Sequence, residues 1–442
     1  MHYFHMPSVV VVGTQYGDEG KGKVVDYYAS QADLVVRFQG GSNVGHTVMA
    51  EGRTYKFRML PSGALREKKL VIGNGVVVDP ERLITEIEEL SSIGKDPDLL
   101  ISERAHVVLP FHRVLDRLED SIKGTLGAGT TGVGVGPAYA DKAARFGIRI
   151  IDLMDDELLR EKLKLLVHMK QKELECIFDS DDRISESDLF SQCKDFREKI
   201  RRYVGDASEY INDALDQEKK VLFEGGQGTL LDLDHGIYPF GTSSNTVSGA
   251  ACTGSGVGPK RIDRILGVCK AYVTRVGAGP FPTELQGEAG SKLQEKGREF
   301  GTVTGRPRRC GWLDGVALRY SVQVNSLDAL IITKLDVLGG MDRLLICTGY
   351  EYEGKIIRRF PSNFKILSHC TPVYEAHEAW EDLTRDEWAE ICSKGYDALP
   401  KTVKGYLKHI EEIAQVPLCL ISVGPEREAT ISLEDIFTAN QR

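Results

Sequence analysis

Short β-branched runs recur along the chain, each closed by glycine or a polar residue: "SVVVVG" at 8–13, "LVVRFQGG" at 34–41, "KLVIGNGVVVD" at 69–79 and "VLFEGGQG" at 221–228. Later ones are "AYVTRVGAG" at 271–279, "ALIITKLD" at 329–336 and "LCLISVG" at 418–424. They are continuously apolar rather than alternating, as strands buried on both faces of a mostly parallel sheet must be. Helix-like segments such as 80–93 separate them. The pattern predicts an α/β fold with a large, mostly parallel central β-sheet flanked by helices. In such sheets ligands bind beyond the carboxyl ends of the strands, and here glycines and charges gather at those ends.

Between about 152 and 210 the texture changes to a strongly charged stretch with apolar residues at helical spacing, which predicts a helical insertion. No internal repeat or low-complexity linker marks a boundary, so 1–442 reads as a single catalytic α/β domain carrying that insertion.

Composition narrows the partners. The 442 residues carry a net charge of −9, which argues against an extended nucleic-acid footprint and favours small phosphorylated ligands. The nine cysteines include no C-x-x-C pair, so neither a disulfide framework nor a zinc knuckle is suggested, and a reducing cytoplasm fits. The start "MHYFHMPSVVVVG" has no basic segment ahead of its strand-length apolar run, and no apolar stretch reaches membrane-spanning length. A cytoplasmic protein with no membrane partner is expected.

The chemistry begins after the first run. Gly17-Asp18-Glu19-Gly20-Lys21-Gly22-Lys23 has the G-x-x-x-x-G-K spacing of a phosphate loop, but Val24 stands where a Ser or Thr would hold magnesium. Glycines let the backbone approach phosphate oxygens, and a helix over 24–29 would aim its amino end at them. A plain Gly/Asp turn would look similar. If the loop does bind phosphate, Asp18 is the nearby carboxylate for the metal. A second turn, 40–47, carries Asn43, Val44, Gly45, His46 and Thr47, and would lie beside the first loop if their strands are neighbours. An imidazole there could donate to a phosphate oxygen or serve only as a structural hydrogen-bonder.

Three further stretches present polar groups on loops. "GAGTTGVGVGPAYADKAAR" offers Thr130, Thr131 and Arg145, and "EGGQGTLLDLDHGIYPFGTSSNT" offers Gln227, Thr242 and Asn245. "GTVTGRPRRCGW" presents three arginines between glycine and proline, suited to a carboxylate or phosphate. Finally "TKLD" at 333–336 is similar to the guanine-reading N-K-x-D of GTPases. A carboxylate there accepts from guanine N1–H and the 2-amino group; adenine offers no such pair, a difference worth on the order of 10⁴ in selectivity.

Taken together, "GTQYGDEGKGK", "QGGSNVGHT", "GTTGVGVGPAYADK", "EGGQGTLLDLDHGIYP", "TSSNT", "RVGAGPFPTEL", "TGRPRRCGWLD" and "TKLDVL" run in the order found in adenylosuccinate synthetases, and the chain resembles that family over nearly its whole length. The resemblance implies a magnesium-dependent ligase of purine biosynthesis that joins IMP and L-aspartate using GTP, through 6-phosphoryl-IMP. It implies Asp18 as base and His46 as acid, with Asp18 and the Gly45 carbonyl holding one Mg2+ per subunit. Residues 17–23 and 45–47 would serve the GTP phosphates. Arg308, Lys334, Leu335, Asp336, Ser422, Val423 and Gly424 would also serve GTP. Asn43, Val44, Thr131, Gln227 and Thr242 would bind IMP. Thr302, Val303, Thr304, Gly305, Arg306, Pro307 and Arg308 would form the aspartate loop, within which Arg306 also meets IMP and Arg308 also meets GTP. Arg145 would reach the IMP site of a second subunit in a homodimer. Val133 stands where many members carry an arginine that assists aspartate, and Pro307 interrupts the usual run of arginines, implying an atypical aspartate affinity.

Overall fold

The protein is described by a computed structural model over residues 3–5, 7–50, 52–127, 129–301 and 305–440. Ten strands form the central sheet: β1 (Ser8–Gly13), β2 (Leu34–Arg37), β3 (Lys69–Ile72), β4 (Leu99–Ser102), β5 (Val204–Gly205), β6 (Val221–Glu224), β7 (Arg264–Lys270), β8 (Ala329–Thr333), β9 (Leu418–Ser422) and β10 (Thr430–Ser432). Their spatial order is β5-β4-β3-β2-β6-β1-β7-β8-β9-β10, and all pairs are parallel except β9–β10.

The β1 valines show why the runs are continuous. Val9 and Val11 enter one apolar core, Val10 and Val12 the opposite one, and all four are completely buried. Each such side chain contributes about 1.5–3 kcal/mol.

Three sequence expectations change in detail. β7 is not among the predicted runs because Gly267 and Lys270 interrupt its apolar pattern; a Cβ at Gly267 would lie 2.3 Å from Leu327 Cδ1 and 2.8 Å from Thr14 Cγ2, so glycine leaves room for those side chains against the strand. The run at 271–279 supplies Val273–Arg275, which leaves the sheet and pairs with Arg309–Gly311. The stretch 69–79 divides into β3 and a short strand, Val77–Val78, paired with His106–Val107.

The predicted helix at 80–93 is observed as Pro80–Ser92, capped by Asp79 Oδ1 accepting from Arg82 N at 3.2 Å. In the charged stretch, helices Asp156–Cys176 and Glu186–Ile200 begin at capping residues Asp155 and Ser185 and bury Leu159, Leu163, Phe190 and Phe196 in the core that also holds Val9 and Val11. The chain then returns to the sheet as β5. The start of the chain is tied down as well, since Tyr3–His5 pairs antiparallel with Thr438–Asn440. No helix among the described residues is long and apolar enough to cross a membrane.

One positional expectation is corrected. β1 and β2 are not neighbours; β6 lies between them. The two glycine turns meet anyway, because the hairpin His46–Ala50/Arg53–Phe57 folds over the helix Lys21–Ala29. A Cβ on Gly22 would sit 2.9 Å from His46 Cβ and 3.1 Å from Thr47 O, so glycine is what permits this approach.

Candidate active site

The first loop leaves β1 through left-handed residues at Gly17 (φ 83°), Asp18 (φ 60°) and Gly20 (φ 91°), and the helix begins at Lys21, three residues earlier than predicted. Aspartate tolerates this conformation better than most residues, and strain of this kind gathers at functional sites. Glu19 turns inward. Its fully buried carboxylate accepts from Gln15 N (2.9 Å), Gly17 N (3.0 Å) and Lys21 Nζ (2.5 Å), holding the loop from beneath. Thr333 Oγ1 donates to Glu19 O at 2.6 Å, joining this loop to the end of β8.

Above the carboxyl ends of the strands lies a cleft of about 1890 Å³. Single-ligand pockets hold about 300–1000 Å³, so the cleft has room for two nucleotides and a small third ligand. It is lined by Gly17, Asp18, Gly20, Lys21, Gly22, Lys23, Asn43, Val44, Gly45, His46, Thr47, Thr131, Gln227, Thr242, Gly305, Arg306, Arg308, Lys334, Asp336, Ser422, Val423 and Gly424. Among the predicted residues, Glu19, Asn245, Leu335, Pro307 and Arg145 do not line it; Asn245 Nδ2 donates to Asp232 Oδ1 at 3.2 Å and Asp234 Oδ2 at 2.6 Å. Leu335 belongs to the core, Pro307 bridges to Phe300, and Arg145 is exposed at the end of the helix Val135–Ala144. Thr302, Val303 and Thr304 lie outside the described residues. Val133 packs against the small cluster of Val77, Val108 and Val135, which accounts for an apolar residue there.

His46 is held by groups that no motif announced. Its Nδ1 meets Glu224 Oε1 in a short contact and Ser62 Oγ at 3.1 Å, while Ser62 N donates to Glu224 Oε2 at 2.8 Å. Burial alone would raise the Glu224 carboxyl; the His46 charge and hydrogen bonds from His46 and Ser62 outweigh it and hold it below the usual range. With Nδ1 engaged, Nε2 is the ring nitrogen left for the cleft.

Among the described residues, the buried polar atoms that lack a hydrogen-bond partner include one on each of two predicted base contacts: Gln227 Nε2 and Asp336 Oδ1. An unsatisfied buried donor or acceptor costs about 1–3 kcal/mol, so each suits a ligand atom of opposite character. A purine carbonyl matches the first and guanine N1–H the second. Gln227 is oriented through its Oε1, which accepts from Gln39 Nε2 at 3.3 Å, and Asn43 Nδ2 donates to Thr242 Oγ1 at 3.2 Å.

The lysine at the usual phosphate-loop position takes a different direction. Lys23 Nζ donates to Ser422 Oγ (2.7 Å), Ala429 O (2.8 Å) and Gly424 O (3.1 Å), pinning the turn after β9. Burial, partly offset by Asp336, lowers this amine to about 8. Its ammonium form is therefore complete below that pH and is lost as the pH rises through it. Lys23→Met is expected to weaken GDP binding roughly tenfold while leaving IMP affinity unchanged, as calorimetry would show; in the unsubstituted protein GDP affinity should decline above pH 8.

Asp18 Oδ1 pairs with Arg308 Nη2 at 2.8 Å, and Arg308 Nη1 reaches the buried Glu299 at 2.6 Å. The donors expected for magnesium, the Asp18 carboxylate and the Gly45 carbonyl, are hard oxygens of residues that line the cleft. No cluster of three His, Cys, Asp or Glu side chains among the described residues is placed to hold a metal. One carboxylate with one carbonyl, completed by phosphate oxygens and water, fits magnesium and not a protein-caged ion.

The sequence signature described as adenylosuccinate synthetase matches residues 10–431. The chain is 51% identical over 435 residues to the adenylosuccinate synthetase of Carboxydothermus hydrogenoformans, covering 98% of this chain and 100% of that protein. It is 49% identical over 437 residues to the one from an Exiguobacterium species, with the same coverages. The solved structure of a fully ligated adenylosuccinate synthetase from Plasmodium falciparum matches with a TM-score of 0.89 at 35% identity, covering 97% of this chain and all of that one.

Proposed function

The chain belongs to the adenylosuccinate synthetase family, and from that membership we propose how its residues divide the work. The enzyme joins IMP and L-aspartate at the expense of GTP, giving adenylosuccinate, GDP and phosphate in AMP biosynthesis, with Mg2+ as cofactor.

In our reading Asp18 removes the N1 proton of IMP, so that O6 attacks the γ-phosphoryl group of GTP and 6-phosphoryl-IMP forms. His46 donates from Nε2 toward the transferring phosphoryl group, and Glu224 keeps the ring turned for it by accepting at Nδ1. Asp18 and the Gly45 carbonyl would hold magnesium, which when bound neutralises charge on the phosphates. The aspartate amine then displaces phosphate from C6, its carboxylates held by Arg306 and the neighbouring aspartate loop. The backbone of 17–23 and 45–47 cradles the GTP phosphates. Asp336 reads guanine, and Gln227, Asn43, Thr131 and Thr242 hold IMP.

The observation that carries this assignment is that one cleft unites Asp18, His46, an unpaired donor on Gln227 and an unpaired acceptor on Asp336. Its test is a steady-state assay with the three substrates. GTP consumption should require both IMP and aspartate, and turnover of GTP indifferent to IMP would reject the assignment in favour of a GTP-binding switch.

We also propose a homodimer completed by Arg145. It is exposed at the end of a helix whose Asp141 pairs with Lys170 (2.7 Å) on Asp156–Cys176, and that second helix presents Leu158, Leu165 and Met169 to solvent at helical spacing. An apolar stripe beside a projecting arginine suits a second copy of the chain. Arg145→Leu should raise the KM for IMP, and mixing it with an Asp18→Asn variant should restore part of the activity; mixtures that stay inactive would place the whole site within one chain. The domain reading is kept as a proposal as well: one catalytic unit, with about 152–210 inserted in it. A cytoplasmic location is proposed on the nine free thiols.

A further inference from the structure

Behind the cleft, a completely buried carboxylate gathers three cations from different parts of the chain. Glu299 Oε1 accepts from Lys270 Nζ at 2.9 Å, from Lys334 Nζ at 3.2 Å and, in a short contact, from the Tyr272 hydroxyl. Its Oε2 accepts from Arg308 Nη1 at 2.6 Å. Burial would raise the Glu299 carboxyl, but Lys270, Lys334 and Arg308 overcome it and hold it far below the usual range. Lys270 is an internal partner, since its ammonium also meets Thr274 Oγ1 at 2.7 Å and is wholly enclosed. The other two partners are not internal: Lys334 precedes the guanine-reading Asp336, and Arg308 ends the aspartate loop and grips Asp18.

We infer that Glu299 is a positioning residue that ties the guanine-reading turn to the arginine of the aspartate loop, so that the GTP and aspartate sites and the Asp18 carboxylate share one ion-paired chain. This rests on the proposed roles of Lys334, Asp336 and Arg308. The physical reason is charge balance. Without the Glu299 anion, the buried Lys270 and Arg308 and the one-third-exposed Lys334 face one another uncompensated, and Lys334 and Arg308 are driven from their cleft positions. Glu299 itself touches no substrate, so its effect is transmitted through those two side chains.

The test compares Glu299→Gln, Glu299→Asp and Lys270→Met in the full-length enzyme, measuring KM for each substrate, kcat and Tm. Glu299→Gln keeps the volume and loses the charge; KM for GTP and for aspartate should rise together, roughly tenfold or more each, with KM for IMP changing far less. Glu299→Asp should recover part of both, and remains informative if the glutamine variant folds poorly. Lys270→Met removes a cation from the same carboxylate without touching a substrate loop, so it should lower Tm and leave both KM values near normal. The inference is overturned if Glu299→Gln changes Tm alone, or if Lys270→Met raises both KM values equally. Lys334→Ala and Arg308→Ala, measured alongside, check the underlying roles: if neither alters KM for GTP or aspartate, the site assignment itself fails, an outcome distinct from an inert Glu299.

Discussion

Asp18→Asn is expected to lower kcat by about 10³-fold or more while the protein stays folded. A positioned base contributes about 10²–10⁴-fold, and the same carboxylate is the proposed metal ligand, so the two losses compound. Stability should survive for two reasons. Asparagine also tolerates the left-handed backbone found at this residue (φ 60°), and the carboxylate is one-quarter exposed, with its ion pair to Arg308 at the edge of the cleft. Single-turnover assays of phosphoryl transfer, paired with thermal unfolding, make the measurement. Turnover near that of the unsubstituted enzyme would defeat the mechanism, because no other carboxylate in the first loop faces the cleft: Glu19 is spent on Gln15, Gly17 and Lys21.

His46→Asn should reduce kcat by roughly 10²–10³-fold with a much smaller change in KM, since the imidazole interaction strengthens only as charge develops on the phosphoryl group. Glu224→Gln provides the sharper check of the dyad. The amide still accepts from Nδ1 but no longer stabilises the imidazolium, so a fall of about tenfold in kcat is expected, with KM for GTP little changed. The pairing also leaves a pH signature. Because the folded Glu224 carboxyl is held below its ordinary value, its stabilising contribution is full above the ordinary carboxylate range and is lost as the pH falls through the lower folded value. The glutamine variant should lack that acid-side loss of stability. Equal kcat and KM losses in His46→Asn, or no effect of Glu224→Gln on kcat, would show the ring to be a binding group instead of an acid.

Most of the sheet was legible from continuous apolar runs, because a strand buried on both faces has no polar positions to disguise it. β7 escaped since Gly267 and Lys270 break its run, and each break has a tertiary purpose: room for the Leu327 side chain against the strand and a buried partner for Glu299. The residues expected around the substrates came from loop chemistry together with the family resemblance, and twenty-two of them line one cleft. The supporting residues were invisible. Glu224 reads as a polar strand end and Glu299 as one charge among many in "EKGREF". Lys23, spaced like a phosphate lysine, proves to anchor the turn at Ser422–Ala429, because the direction of a long side chain depends on which acceptors lie within reach, not on its interval from a glycine.

The order of apolar and glycine-rich segments along this chain was enough to determine its fold class and the chemistry gathered at the strand ends, since local patterning follows from burial and backbone freedom. Which distant charges meet was decided by the folded chain alone. His46 with Glu224, and Glu299 with Lys270, Lys334 and Arg308, are separated by up to 178 residues, and their pairing depends on the crossing order that sets β6 between β1 and β2 and brings β7 beside β8. A buried ion pair is a property of distance and desolvation, and neither quantity exists until the sheet has closed around it.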